Sequence, residues 1–376
     1  FRRALETAAP DVETLGFAGF FGVALEQVAA GEMAGDALCP VLLQPRFIVC
    51  EAVSPDAAAA KRLEQDAGRV MRGFRGAAVS SFAFVEAAGL GYLGKLAADS
   101  LRLGRRGEAA ASGKPALDPA EREGRLTGIP AADRLASAAA ILRGMGLTDN
   151  LARVVLLVGH GATTRNNPHA AGLSCGACGG HSGDANARVA AAILNDPDVR
   201  AGLSGMGIVV PEDTLFVAAL HDTTTDLVAI LDAETLPQSH AQEIALLKAQ
   251  FAEAGRAVRF ERAAKLGIDA DKPVERQVLA RARDWSEVRP EWGLAGCAAF
   301  IAAPRALTRG VDLGGRAFLH SYDWKKDDGF RTLELILTAP LVVASWINLQ
   351  YYASTVDNRV FGSGNKVLHN VVGGFG

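Results

Sequence analysis

Two apolar runs in the middle of the chain, 153–158 and 215–220, constrain its fold more than any other feature. Neither alternates polar with apolar residues, so each reads as a strand covered on both faces. Between them lies a helix that begins near Asn186, and strand–helix–strand order points to a parallel pair in an α/β fold. Ahead of the first strand, 130–145 has the apolar spacing of an amphipathic helix, and Gly146 supplies its stop. The expected architecture is a parallel sheet flanked by helices.

Both strands run into residues that carry chemistry. The first ends in Gly159-His160-Gly161 and, after a loop rich in Gly, Asn, Ser and Thr, leads to Cys175-Gly176-Ala177-Cys178-Gly179-Gly180. The second ends in His221-Asp222-Thr223-Thr224-Thr225-Asp226. Ligands of open α/β sheets bind at this carboxyl edge. The glycines around His160 are expected to let the backbone turn tightly and leave the imidazole unobstructed. Imidazole nitrogen and thiolate sulfur are zinc ligands, and a catalytic zinc keeps one position for water, so His160 and Cys175 would be half of a ligand set. The plainer reading is a hydrogen-bonded histidine and cysteines buried for packing. His169 and His181 flank the same loop and could substitute as ligands. Cys175 and Cys178 also spell a Cys-x-x-Cys redox pair, but such pairs open a helix directly after a strand, and Gly179-Gly180 oppose that. His221, Asp222 and Asp226 read either as pocket rim and hydrogen-bonding support for a metal site or as a turn and N-cap cluster.

The rest of the chain is less specific. Residues 15–24 suit a buried strand or packed loop. Residues 57–103 look helical with breaks near Gly89 and Gly91, and 104–129 reads as an exposed polar excursion. Residues 237–266 form a long charged helix, or two, outside the core. The sequence divides into a mostly helical part over 1–129, an α/β core over 130–235 and a helical and mixed part over 236–376. Within the last, 284–293 is expected to be an anchored polar loop. The uncharged run 335–356 is long enough to span a bilayer, but its Pro, Asn and Gln favour a buried helix or a partner-facing surface. With 39 Lys and Arg against 42 Asp and Glu, the net charge of −3 gives no footprint for nucleic acid or an anionic membrane. Five irregularly spaced cysteines argue for reduced thiols or a metal site rather than a disulfide scaffold. No signal peptide is evident. Phe1-Arg2-Arg3-Ala4-Leu5-Glu6 reads as a helix already in progress and 370–376 as a glycine-rich turn, the pattern of an internal fragment of a longer protein.

Taken together, these residues resemble the DabA family, the large subunit of a bacterial inorganic-carbon uptake system with a β-carbonic-anhydrase-like zinc site. The resemblance rests on Gly159-His160-Gly161, Asn166-Asn167-Pro168-His169, Cys175 to Gly180, Asn186-Ala187-Arg188 and His221 to Asp226. It extends through Asp284 to Ala295, Phe318 to Asp323, Thr338-Ala339-Pro340, Trp346-Ile347, Gln350 to Ser354 and His369 to Val372. It implies a β-carbonic-anhydrase-like core with large helical additions and a Zn2+ held by two Cys, one His and one Asp. The histidine falls on His160 and the downstream cysteine on Cys175, while Cys178 is not a ligand. The other two ligands belong to a Cys-x-Asp-x-Arg motif expected upstream of Phe1, together with the Asp–Arg pair that gates the zinc. The implied activity is CO2 hydration to bicarbonate, coupled to a DabB-like cation-translocating membrane subunit. The implied location is peripheral, on the cytoplasmic side of the cell inner membrane.

Two other classes fit the same residues. A zinc hydrolase would complete its metal shell with His221 or Asp222, and a structural zinc protein would take Cys178 as a third ligand.

Overall fold

The computed structural model describes residues 1–17, 22–40, 43–77, 79–100, 112–122, 124–164, 174–269, 271–284, 298–345, 348, 349, 357 and 360. The chain opens with helix α1 (Arg2–Ala8) and the short strands β1 (Leu25–Val28), β2 (Asp36–Leu38) and β3 (Phe47–Glu51). Two long helices follow, α2 (Pro55–Gly76) and α3 (Ser80–Ser100). Ser54 caps α2 by accepting from the Ala57 amide, and Pro55 fits the first turn, where no amide partner is needed. The expected breaks at Gly89 and Gly91 do not occur. The interruption lies at 77–79, because a glycine with no neighbour to satisfy stays helical when the residues around it propagate.

The described part of the polar stretch, from 112 onward, is tied to the body rather than free. Strand β4 (Pro115–Ala116) closes a four-stranded sheet of order β2-β1-β3-β4, while β5 (Ala120–Arg122) and β6 (Arg125–Thr127) form a hairpin. Ile129 is fully buried. Arg134, on helix α4 (Ala131–Met145), secures the segment by donating to the carbonyls of Leu117 and Ile129 and pairing with Asp118 and Asp196. Gly146 ends α4 in the left-handed conformation at φ 70°, as its sequence position foretells.

The second sheet is built on β7 (Val154–Gly161), β8 (Leu215–Asp222) and β9 (Leu227–Ile230). The first two are parallel, as expected. The third returns antiparallel through a four-residue turn, 223–226, so the sheet is mixed. One face, with Val155, Leu157, Phe216, Ala218 and Leu220, packs on α4 and the helix Asp184–Asn195 through Ile141, Leu142, Val189 and Ile193. The other face, with Leu156, Val228 and Ile230, meets Leu5 and Phe1 beside the helix Ala241–Ala263 through Phe251 and Ala254. That helix therefore does not lie outside the core as its charge suggested. Ile244, Phe251 and Val258, seven residues apart, form a buried stripe down one side of it.

Beyond it come the helix Val274–Arg281, a parallel pair of strands, β10 (Ala299–Ala303) and β11 (Ala317–Ser321), and the helix Arg331–Thr338. Of the uncharged run 335–356, the described part is interrupted at Ala339, and residues 346, 347 and 350–356 lie outside the described residues. No single helix among the described residues is long and apolar enough to cross a membrane.

This distal part is held to α1 by a buried ion pair. Arg305 grips Glu6 with both ends of its guanidinium, at 2.8 and 2.6 Å, and Thr14 donates to the same carboxylate. Burial alone would raise the Glu6 pKa, but these hydrogen bonds and the charge of Arg305 outweigh it and bring it below 4.5. The pair's contribution is therefore full at neutral pH and is lost as pH falls through the depressed folded-state value. Arg305→Met should lower stability at about pH 7 by roughly 2–4 kcal/mol, because it strands a buried carboxylate. It should also flatten the acid limb of the stability profile relative to the parent, measured by urea unfolding across the acid range.

Candidate functional site

The register of β7 with β8 sets His160 directly against His221. Both belong to the alternate positions shared with Leu156 and Val217, so they emerge on the face covered by α1 and the helix Ala241–Ala263. Here the two layers part around a cavity of about 1480 Å³ whose wall includes Val158, His160, Cys175, His221, Asp226 and Phe251.

The glycines flanking His160 serve close approach rather than a tight turn, since both lie within the strand. A Cβ on Gly159 would run into the carbonyl of Gly183, and one on Gly161 would meet Ser182 Oγ at 2.8 Å. This contact lets the Gly183 amide donate to the His160 carbonyl at 2.9 Å, locking the segment that follows Cys178 onto the strand that carries His160. Residues 165–173, with the whole of Asn166-Asn167-Pro168-His169, lie outside the described residues, but both ends of the loop are fixed. At one end Thr163 is bonded to Asp222 and Thr224. At the other, Cys175 pairs with His181 through the backbone and opens a 3-10 turn over Gly176–Cys178. Gly179 and Gly180 complete that turn at φ 68° and 89°, values that favour glycine.

The two cysteines differ. Cys175 lines the cavity; Cys178, fully buried, does not. The hydrogen bond between Cys178 and Cys175, and then burial, push the Cys178 thiol well above its ordinary value and keep it protonated. A redox pair needs an accessible, acidic thiol, and the helix that follows does not start until Asp184, so this arrangement opposes the redox reading. His181 lies 3.7 Å from Asp36 and is not among the cavity residues.

The two readings of the His221–Asp226 cluster divide between its two carboxylates. Asp222 accepts from the Thr163 and Thr224 amides and from the Thr224 and Thr225 hydroxyls, which makes it the staple of the turn. Asp226 instead faces the histidine. Its Oδ1 lies 3.1 Å from His221 Nε2, and Arg262 sits at ion-pair distance, 2.6 Å, from its Oδ2. Phe1 packs against the His221 ring at a tilt of 44°, with centroids 4.5 Å apart. Arg259 and Arg262 hold the turn from outside by donating to the carbonyls of Thr225 and Thr223. Phe1, Arg259 and Arg262 were not singled out from sequence. The stripe of Ile244, Phe251 and Val258 is the signal that would have brought the two arginines into the site.

Among the described residues, no group of three or more His, Cys, Asp or Glu is disposed to hold a metal ion. His160 and Cys175 are two donors on one cavity wall, a partial set of the right chemistry. The segment 285–293 lies outside the described residues. Asp222→Ala should leave the Thr224 amide and the Thr225 hydroxyl without their acceptor, remove one of the two acceptors open to the Thr163 amide and the Thr224 hydroxyl, and cost roughly 2–4 kcal/mol. Glu212→Ala, at a site away from the cavity, should cost far less, and chemical denaturation of the two variants checks the contrast.

Comparison with known proteins agrees with this assembly of motifs. A family described as "Probable inorganic carbon transporter subunit DabA" matches residues 1–376. The chain is 57% identical over 393 aligned residues to a probable inorganic carbon transporter subunit DabA 2 of Bradyrhizobium sp. (strain ORS 278), and 55% identical to a DabA of Chloroflexus aggregans. A DabA of Roseiflexus castenholzii is also 55% identical. Each alignment covers 100% of this chain and 47% of the relative, so the chain spans about half the length of the curated relatives it matches. No solved structure matches. With the whole of its length matched and more than half of its residues identical to such relatives, the chain belongs to the DabA family of inorganic carbon transporter subunits.

Proposed function

We propose that the cavity is the CO2–bicarbonate site of an energy-coupled inorganic carbon uptake complex, built around a zinc ion for which this chain supplies His160 and Cys175. The observation that carries the reading is the separation of the two cysteines: Cys175 reaches the cavity that holds His160, and the protonated Cys178 does not. The donor types suit zinc, and the carboxyl edge of a helix-flanked sheet suits a β-carbonic-anhydrase-like core.

When bound, zinc supplies the Lewis acidity that ionises water near neutral pH and so provides a nucleophile for CO2. The chain's own residues supply the surroundings. Val158 and Phe251 give the cavity an apolar stretch of wall beside the polar groups. Asp226 orients His221 through the contact of its Oδ1 with Nε2, on a residue that lines the cavity. The ring contact with Phe1 fixes the plane of that imidazole.

In this reading a Cys-x-Asp-x-Arg motif elsewhere in the full-length protein supplies the remaining ligands and the gating Asp–Arg pair. The partner in this reading is a DabB-like membrane subunit whose cation flux makes hydration effectively one-way, with the DabA subunit peripheral on the cytoplasmic face of the inner membrane. The hydrolase alternative would complete the metal shell with His221 or Asp222; both oxygens of Asp222 are held in the turn, and His221 is paired through Nε2 with Asp226. The structural-zinc alternative would need the thiol of Cys178, which is fully buried and does not line the cavity.

Zinc content of the full-length protein tests the assignment. His160→Ala and Cys175→Ser should lose most of the metal, and Cys178→Ser should keep it. Full zinc content in His160→Ala would sink the assignment. The 376-residue chain alone should hydrate CO2 at the uncatalysed rate in stopped flow, since a catalytic zinc needs about three protein ligands in fixed geometry. The full-length protein with its partner should exceed that rate.

A further inference from the structure

A second surface, remote from the cavity, is unlike the rest of the molecule. Helix α2 has no buried residue, and the described polar ties that hold it to the body come from its first half: Lys61 to Glu51, Arg62 to the Gly31 carbonyl and Gln65 to the Ala30 carbonyl. Beyond Asp66 the helix runs on to the bend at 77–79, where α3 leaves at 113°. Phe84 faces inward and packs edge-on between Phe74 and Tyr92 at 5.5 Å, which holds the two helices together. The opposite side of α3 carries Phe82, Val85, Leu93 and Leu96 at helical spacing, all exposed, with Phe82 at 77% and Val85 at 65%. Val79, at the bend, is 89% exposed.

Charge distinguishes this apolar face from one awaiting another protein core. Between Asp66 and Glu86 the sequence has no acidic residue and carries Arg69, Arg72 and Arg75. Arg69 is paired with Asp66 at 3.0 Å, whereas Arg72 and Arg75 have no carboxylate partner among the described residues. The near-neutral total charge of the chain conceals this local excess of positive charge. Neither helix is long and apolar enough to cross a membrane alone, and the two pass that test only as a pair bent by 113°; exposed Phe and Val beside arginines at such a bend suit an element lying in a membrane interface. The apolar side chains enter the acyl boundary and the guanidinium groups meet lipid phosphates.

We propose that the bend between α2 and α3, with Arg72, Arg75, Val79, Phe82 and Val85, is a membrane-binding element that docks this subunit on an anionic bilayer surface. The proposal is independent of the metal chemistry of the cavity. It assigns a specific surface to the membrane association expected of a transporter subunit, and it commits to lipid rather than to a protein partner.

Sedimentation of the purified full-length protein with vesicles tests it. The protein should bind vesicles of phosphatidylcholine mixed with phosphatidylglycerol, bind phosphatidylcholine alone more weakly, and dissociate as salt is raised. Arg72→Glu with Arg75→Glu should weaken binding to the anionic vesicles by at least about tenfold. Phe82→Glu with Val85→Glu should do the same through lost insertion, and both double variants, being at exposed positions, should keep the parent's circular dichroism and thermal midpoint. Failure of the parent to bind anionic vesicles, or equal binding by the parent and both variants, would overturn the proposal. So would a parent that binds membranes only when its membrane subunit is present, because the face would then be a protein contact.

Discussion

The in-register pairing of β7 with β8 is the constraint on which the site depends. It places two histidines from distant parts of the sequence side by side on one face of one sheet, with no tolerance for a slip, since a one-residue shift would turn every alternate side chain to the opposite face. The neighbouring backbone reinforces that register. Gly159 and Gly183 are in close approach, and the Gly183 amide donates to the His160 carbonyl, so the turn bearing Cys175 is referenced to the strand bearing His160. Two donors of different chemistry thus reach one cavity from a strand and a turn whose relative position is fixed by main chain alone.

Around this frame, the polar groups are divided by function. Asp222 spends its lone pairs holding the turn, and Asp226, one turn residue beyond the three threonines, is left for His221 and Arg262. Arginines from the helix Ala241–Ala263 then close the turn from the far side. The histidine on β8 is consequently oriented by groups that are themselves immobilised, which is the condition for a side chain to accept a proton at a defined position.

Much of this was legible in the sequence. Unbroken apolar runs identified both parallel strands, Gly146 marked the end of α4, and His160 and His221 at the strand ends lie on the wall of the cavity. Other features depended on contacts that a local reading does not contain. The antiparallel third strand is short and follows a threonine-rich turn, so its Leu227–Ile230 segment carries too little pattern to reveal direction. The helix Ala241–Ala263 looked like a solvated element because its charges outnumber its apolar stripe, and only the seven-residue recurrence of Ile244, Phe251 and Val258 betrays a buried side. Asp222 and Asp226 are the same residue type four positions apart. Their separate tasks follow from the left-handed backbone at Asp226, φ 53°, which turns its carboxylate away from the staple and toward the histidine.

The central claim is that His160 and Cys175 meet at a zinc ion while Cys178 remains a protonated neighbour. X-ray absorption at the zinc edge of the full-length protein, compared with its Cys178→Ser variant, addresses this most directly. The account predicts a mixed shell of thiolate sulfur and imidazole nitrogen that is unchanged in Cys178→Ser, with the imidazole signature lost in His160→Ala. A shell that loses a sulfur when Cys178 is replaced, or that keeps its imidazole signature without His160, would contradict it.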